Sequence, residues 1–174
     1  MRQNERKALI IGYGSIGSRH AAILAKMGYA IACVTQRSDV PWIIFRDVAT
    51  GLKKFRPNIV VIATPTIMHL ETYHTLMSAK YADCLLIEKP IFAQMPQPVP
   101  TYHERIFVGY NLRFHPVIQA MRMRLSGKKI FAAQFSVGQY LPHWRPGTDY
   151  HQCYSAHTAK GGGVLRDLSH ELDL

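Results

Sequence analysis

Three groups of residues in this chain have types and spacings that suit chemistry. The first is Gly12-Tyr13-Gly14-Ser15-Ile16-Gly17, a G-x-G-x-x-G that follows an apolar run from Ala8 and opens a helical pattern. Glycine at 12 permits a tight turn, glycine at 14 lets the main chain approach a pyrophosphate, and glycine at 17 lets a helix press against its strand. The phosphates would then meet the unpaired N–H groups and positive end of that helix. A glycine-rich turn without a ligand is the competing reading. The second group centres on Lys89, set between Glu88 and Pro90 where another apolar run ends. A lysine leaving a buried strand is partly desolvated, and beside an oxidised nicotinamide its cationic form is further disfavoured. It could donate to a substrate hydroxyl or carbonyl, or it could simply cap the strand end. The third group is Asp167, His170 and Asp173, spaced three apart. On a continuous helix, at about 100° per residue, Asp167 and His170 stand within roughly 60° of each other. Leu165, Leu168 and Leu172 fall on a different face, suited to packing against a core. An imidazole moves protons near neutral pH and a carboxylate can orient it or hold substrate; a solvated helix face is the alternative.

These groups need elements to hold them. Apolar runs predict β-strands over 7–12, 30–34, 59–63, 84–88 and 106–109, and helical patterns lie over 15–27, 48–55 and 66–80. In the last of these, Ile67, Leu70, Tyr73 and Met77 recur at three- to four-residue spacing. Strands alternating with helices predict a parallel sheet covered on both faces. Pro96, Pro98 and Pro100 bar a helix over 95–100, so an extended connection replaces it. From Pro116 a helix runs to Leu125 and stops at Gly127. A strand is predicted over 129–137, then a loop over 140–160 rich in Pro, Gly, His and aromatics. Gly161, Gly162 and Gly163 end it, and 164–174 reads as a helix.

Each predicted strand ends in polar or special residues. The first leads to the glycines, the second to Gln36, Arg37 and Ser38, and the third to Ala63, Thr64 and Pro65. The fourth leads to Glu88, Lys89 and Pro90, and the fifth to Tyr110 and Arg113, the candidates for binding substrate. In an open parallel sheet ligands bind at that edge, so these residues predict one cleft, although loops are polar in any protein. An NAD site usually places Asp or Glu about 20 residues beyond the glycines. Gln36 stands there instead, with Arg37 and Ser38 beside it. Arg37 could pair with a 2′-phosphate and Ser38 donate to it, which favours NADP over NAD; an arginine solvated in a turn is the alternative. No CxxC, HxxxH or HExxH spacing joins His143, His151, His157 or Cys153, so no metal site is predicted.

At 174 residues, 48% hydrophobic and 18% charged, the composition is that of a globular protein and not of a disordered one. No apolar run is long enough to span a membrane, and the polar start from Met1 to Lys7 does not read as a signal peptide. Three widely spaced cysteines make no disulfide framework. Cys33 and Cys84 fall in predicted strands as small core residues, and the cytoplasm is the expected compartment. A net charge of +10 suits an anionic ligand such as a dinucleotide or sugar nucleotide and fits weak nucleic-acid affinity. The basic residues are scattered and no nucleic-acid recognition motif accompanies them, so no specific nucleic-acid partner is expected.

Five motifs together resemble those of the Gfo/Idh/MocA oxidoreductases, the group of glucose–fructose oxidoreductase and inositol dehydrogenase. They are G-Y-G-S-I-G-S-R-H at 12–20, A-T-P-T-I-M-H at 63–69, E-K-P at 88–90, G-Y-N-L-R-F-H-P at 109–116 and G-G-G-V-L-R-D-L-S-H-E-L-D at 161–173. The resemblance implies an α/β fold: a Rossmann-type, doubly wound parallel sheet over 1–110 that binds NAD(P). An incomplete α+β substrate and oligomerisation domain would follow over 111–174, with the strand over 129–137 left as an exposed edge. It implies NADP or NAD as cofactor and a sugar, sugar nucleotide or cyclic polyol as substrate, as in members near polysaccharide biosynthesis. It further implies that Gly12, Gly14 and Gly17 bind pyrophosphate. Thr64, Pro65, His69 and Glu88 would line the cofactor cleft, and Lys89 would be catalytic with Asp167 and His170. A dinucleotide-binding remnant or sensor of the same fold is the alternative to an enzyme.

Overall fold

In the computed structural model, which describes residues 6–96, 104–144, 147 and 149–174, the apolar runs pair into one six-stranded parallel sheet. Most of the polar start, and Pro98 and Pro100 of the proline-rich connection, lie outside the described residues. The chain divides into two compact units, Met1–Val108 and Gly109–Leu174.

The first unit contains β1 (Lys7–Ile11), β2 (Ala30–Val34), β3 (Ile43–Phe45), β4 (Ile59–Ile62), β5 (Cys84–Ile87) and β6 (Ile106–Val108), in the order β3-β2-β1-β4-β5-β6. This is the strand order of a doubly wound dinucleotide-binding sheet, with its switch point between β1 and β4. The sequence predicts five strands, and β3 is the addition. Three residues are too few for a period of two to register, and β3 forms as an edge by pairing with Ala32–Val34 of β2. Near-continuous apolar strands follow from burial on both faces. Leu9, Ile11, Val34, Val60, Ile62, Leu85 and Ile87 pack with Phe55, Tyr73 and Leu76 on one face. Ala8, Ile10, Ile31, Cys33 and Val61 pack with Ala21 on the other. The helices α1 (Ser15–Lys26), α2 (Val48–Phe55) and α3 (His69–Ser78) cover these faces. The predicted helix over 66–80 begins instead with a 3₁₀ turn, Thr66–Met68. Burial pushes the Cys33 thiol up to about 12, as suits a core residue, whereas Cys84 is only partly buried.

Register sets the level of the strand ends. Ile11 lies opposite Val34 and Ile62, Ile62 opposite Ile87, and Ile87 opposite Val108. Gly12, Thr35, Ala63 and Glu88 therefore leave the sheet side by side.

The second unit is built differently. The helix α4 (Pro116–Leu125) starts with Pro116 at its first turn, and the His115 side chain accepts from the Val117 N–H at 3.3 Å. The short helices α5 (Leu141–Trp144) and α6 (Val164–Asp167) are joined by 3₁₀ turns. Two expectations are corrected. The strand over 129–137 does not form: those residues are exposed, and no strand follows β6 among the described residues. An unpaired strand leaves its backbone groups without partners, so nothing holds it extended. The continuous helix over 164–174 breaks at Leu168 (φ −104°, ψ 37°) and resumes as a 3₁₀ turn, Ser169–Leu172. Helices of this length depend on packing an apolar face. Here Leu165 and Leu172 are exposed while Asp167 and Ser169 are buried, the reverse of the expected facing.

Gly17 has no room for a side chain, because a Cβ would stand 2.0 Å from the Gly12 carbonyl oxygen. Gly17→Ala should therefore cost about 1–3 kcal/mol or more of stability. Urea melts of the two chains check this, and unchanged midpoints would refute the tight contact.

Candidate functional site

The β1–β4 crevice collects the chemistry of the first unit. Gly12 takes φ 95°, and a Cβ there would meet the Ala63 carbonyl oxygen at 2.6 Å. Gly12 and Gly17 are thus explained by packing within the protein. Gly14 is not: its backbone is extended, and nothing lies within 4 Å of where its Cβ would stand. No side chain caps α1, and no acidic residue occupies its first turn. Its leading N–H groups, around Ser15 and Ile16, thus have no side-chain cap and lie at a positive dipole end. Across the crevice the Thr64 hydroxyl is buried without a hydrogen-bond partner. A bare main-chain approach, an uncapped helix start and an orphaned hydroxyl fit the phosphates of a dinucleotide.

The β5 exit is held from both faces of the sheet. From α1, the His20 Nε2 lies 2.6 Å from Glu88 Oε1, and both side chains are largely buried. From α3, His69 is 1% exposed. Its Nε2 lies 2.9 Å from the Thr64 carbonyl oxygen, and its Nδ1 lies 3.1 and 3.2 Å from those of Pro90 and Ile91. His69 thereby fills the space between the Thr64–Pro65 turn and the segment after Lys89, and whichever ring nitrogen carries the proton donates to one of the two. His20 falls inside a quoted motif, but no local pattern gives it a role, since its partner is 68 positions away.

At the end of β2, Arg37 does not stand as an isolated cation. Its Nε and one terminal nitrogen donate to both oxygens of Asp39, at 2.9 and 2.5 Å. The guanidinium holds the Asp39 carboxyl below its usual range, and the carboxylate raises the Arg37 value in turn. Arg37 also donates to the Tyr13 carbonyl oxygen at 3.4 Å, and Trp42 donates to the Tyr13 hydroxyl at 3.2 Å. Gln36 donates to the Arg46 carbonyl oxygen at 3.2 Å, and Ser38 is exposed. An acid does stand near the expected position. It is Asp39, 22 residues after Gly17 rather than 19, and the spacing hid it.

In the second unit Asp167 is 6% exposed and accepts from the Tyr154 hydroxyl at 2.8 Å. His170 packs edge-on to Tyr110 with ring centroids 5.8 Å apart. Arg113 makes a two-pronged ion pair with Asp173, both bonds 2.5 Å, which raises the Arg113 value further. A carboxylate of the chain thus already fills the fork that the sequence assigns to substrate. Gly162 permits the close turn beneath Asp167, since a Cβ there would lie 2.1 Å from the Tyr154 carbonyl oxygen. Asp167 and His170 lie on either side of the break at Leu168, so their facing is set by that turn and not by helical spacing. Tyr154 and Asp173 as partners escaped the sequence reading.

The chain matches no protein-family model and no curated protein. Solved structures do resemble it. The WlbA dehydrogenase from Bordetella pertussis, in complex with NADH and UDP-GlcNAcA, superposes with a TM-score of 0.56 at 14% identity over 72% of this chain and 42% of that one. For UDP-N-acetylglucosamine 3-dehydrogenase GnnA from Acidithiobacillus ferrooxidans the TM-score is 0.52 at 22% identity, covering 72% and 45%. For myo-inositol 2-dehydrogenase from Lactobacillus plantarum it is 0.55 at 17% identity, covering 70% and 41%. The chain spans less than half the length of these proteins. At these identities the likeness establishes the Rossmann-like α/β fold.

Replacing His69 with Leu would remove the ring N–H that donates to the carbonyl of Thr64 on one side or those of Pro90 and Ile91 on the other. A loss of about 1–3 kcal/mol is expected, read from the denaturation midpoint. A variant as stable as the parent would show that the imidazole does not join the two turns.

Proposed function

We propose that this chain carries the dinucleotide site and part of the catalytic apparatus of an NAD(P)-dependent oxidoreductase acting on a sugar, sugar nucleotide or cyclic polyol. The observation that carries this reading is the unfilled space at Gly14 facing the uncapped start of α1, at the switch point of the sheet. The structural neighbours that include a dehydrogenase with NADH and UDP-GlcNAcA support it.

A bound nicotinamide would supply the hydride acceptor or donor. The N–H groups at the start of α1 would hold the pyrophosphate, and the Thr64 hydroxyl would donate into the same crevice. Lys89, delivered by β5 and kept in register by Glu88 and His69, would donate to the substrate oxygen. Oxidation of a carbinol carbon also releases the hydroxyl proton, which the His170 imidazole would take while Asp167 orients the oxygen. Tyr154, bonded to Asp167, would hold that carboxylate in place. At the adenosine end, Arg37 would pair with the 2′-phosphate of NADP. Asp39 competes for the same guanidinium and would accept from the free 2′-hydroxyl of NAD. No helix among the described residues is long and apolar enough to cross a membrane.

A second reading, a dinucleotide-binding protein without turnover, is favoured by one observation. The described residues of the second unit bury Ser155, Asp167 and Ser169, and no apolar side chain of that unit is among the buried core. Turnover separates the two readings.

Two substitutions test the site. Ser is a favoured helix cap, so Gly14→Ser should keep stability or raise it by a few tenths of a kcal/mol. It should nevertheless weaken NAD(H) or NADP(H) binding by about tenfold or more, roughly 1.4 kcal/mol. Calorimetric titration beside a thermal melt reads both, and undiminished affinity would remove the pyrophosphate assignment. Lys89→Ala should slow turnover on the responsive sugar at least about 100-fold with dinucleotide affinity nearly unchanged. Full turnover would discharge Lys89 from catalysis.

A further inference from the structure

The positive charge of the first unit gathers on the edge away from the dinucleotide crevice. All six strands are parallel and the helices return against them, so strand starts and helix ends share one edge. Arg6 and Lys7 stand at the start of β1, and Lys26 in the last turn of α1. Lys53, Lys54 and Arg56 stand at the end of α2, Lys80 after α3 and Arg105 before β6. Seven of these eight are exposed and Lys7 is half-buried. Among the described residues only Asp83 and Glu104 oppose them there, an excess of six positive charges. Near the carboxyl ends of the strands, Arg19, Arg37, Arg46 and Lys89 are balanced by Asp39, Asp47, Glu71 and Glu88. The charge that the composition offers to an anionic cofactor therefore lies elsewhere.

Helix dipoles explain part of this edge. Lys26, Lys53 and Lys54 lie in last turns, where cations offset the negative dipole end. Arg6, Lys7, Arg56, Lys80 and Arg105 lie outside the helices. The Arg6 guanidinium sits 5.6 Å from the Tyr29 ring centroid, and the Lys7 ammonium 5.7 Å from that of Phe55. Those contacts hold the two cations at the edge. From β2 to β6 the edge runs about 19 Å at about 4.8 Å per strand. That length of one B-DNA strand carries about five or six phosphates.

We propose that this edge binds the phosphate backbone of nucleic acid without sequence preference. Cations along this edge match phosphates, Arg6 and Arg56 among them, while Arg105 lies 3.5 Å from Asp83 Oδ1 and would exchange that carboxylate for a phosphate; contacts to phosphate alone carry no sequence information. The site is independent of the proposed redox reaction.

The test uses the full chain and a short labelled DNA duplex, followed by fluorescence anisotropy at rising salt. Binding should weaken with a log–log slope of about −5, as for about six phosphates. Lys53→Glu with Lys54→Glu, and separately Lys80→Glu with Arg105→Glu, should each lower affinity about tenfold or more and flatten the slope by about 2. Arg122→Glu with Arg124→Glu makes the same charge change on α4, outside the eight edge residues, and should leave affinity within about twofold. Circular dichroism shows which variants fold, and either folded edge variant suffices. Absence of binding at low salt, a flat slope, or an equal loss from the α4 variant overturns the proposal. So does tighter binding to vesicles of anionic phospholipid than to the duplex, lost in the same edge variants.

Discussion

The closeness of α1 to the β1–β4 crevice is the constraint from which the first unit follows. With Gly17 against the Gly12 carbonyl and Gly12 against Ala63, the helix start meets the strand ends with no side chain between them. That proximity fixes the turn after β1, brings the uncapped N–H groups level with Thr64, and leaves Gly14 facing open space. Two glycines are thus consumed by packing. The third is left over for a ligand, and this division separates a dinucleotide site from a turn that merely contains glycine.

The same geometry explains how Lys89 is presented. A strand end carries its residues no more accurately than the loops around it are held. Here α1 reaches the β5 exit through His20 and Glu88, and α3 reaches it from the opposite face through His69. Both imidazoles come from helices whose main task is to cover the sheet. Burial of those helices is therefore also what sets the β5 exit.

The second unit rests on other forces. Its described contacts are polar: a buried Asp167 on Tyr154, an exposed Arg113 on Asp173, and glycines that let backbone approach backbone. Apolar side chains on α4, along 130–137 and on α6 are exposed. Hydrogen bonds and ion pairs of this kind contribute modestly to stability but strongly to geometry. That is why a predicted amphipathic helix gives way to a short helix and a 3₁₀ turn.

What the residues alone determined was the parallel sheet, from apolar runs bounded by turn residues, and the crevice, from three glycines at fixed offsets. Both are local patterns, and burial on two faces or a tight turn leaves its mark within a few positions. The edge strand β3, the Arg37–Asp39 and Arg113–Asp173 pairs, the partners of His20 and His69, and the break at Leu168 were decided only by the tertiary structure. Each depends on which groups meet across dozens of residues, or on whether a neighbour exists to pair with or pack against. A pattern in the chain records what a segment could do. Burial and charge proximity, which arise once the sheet has formed, select what it does.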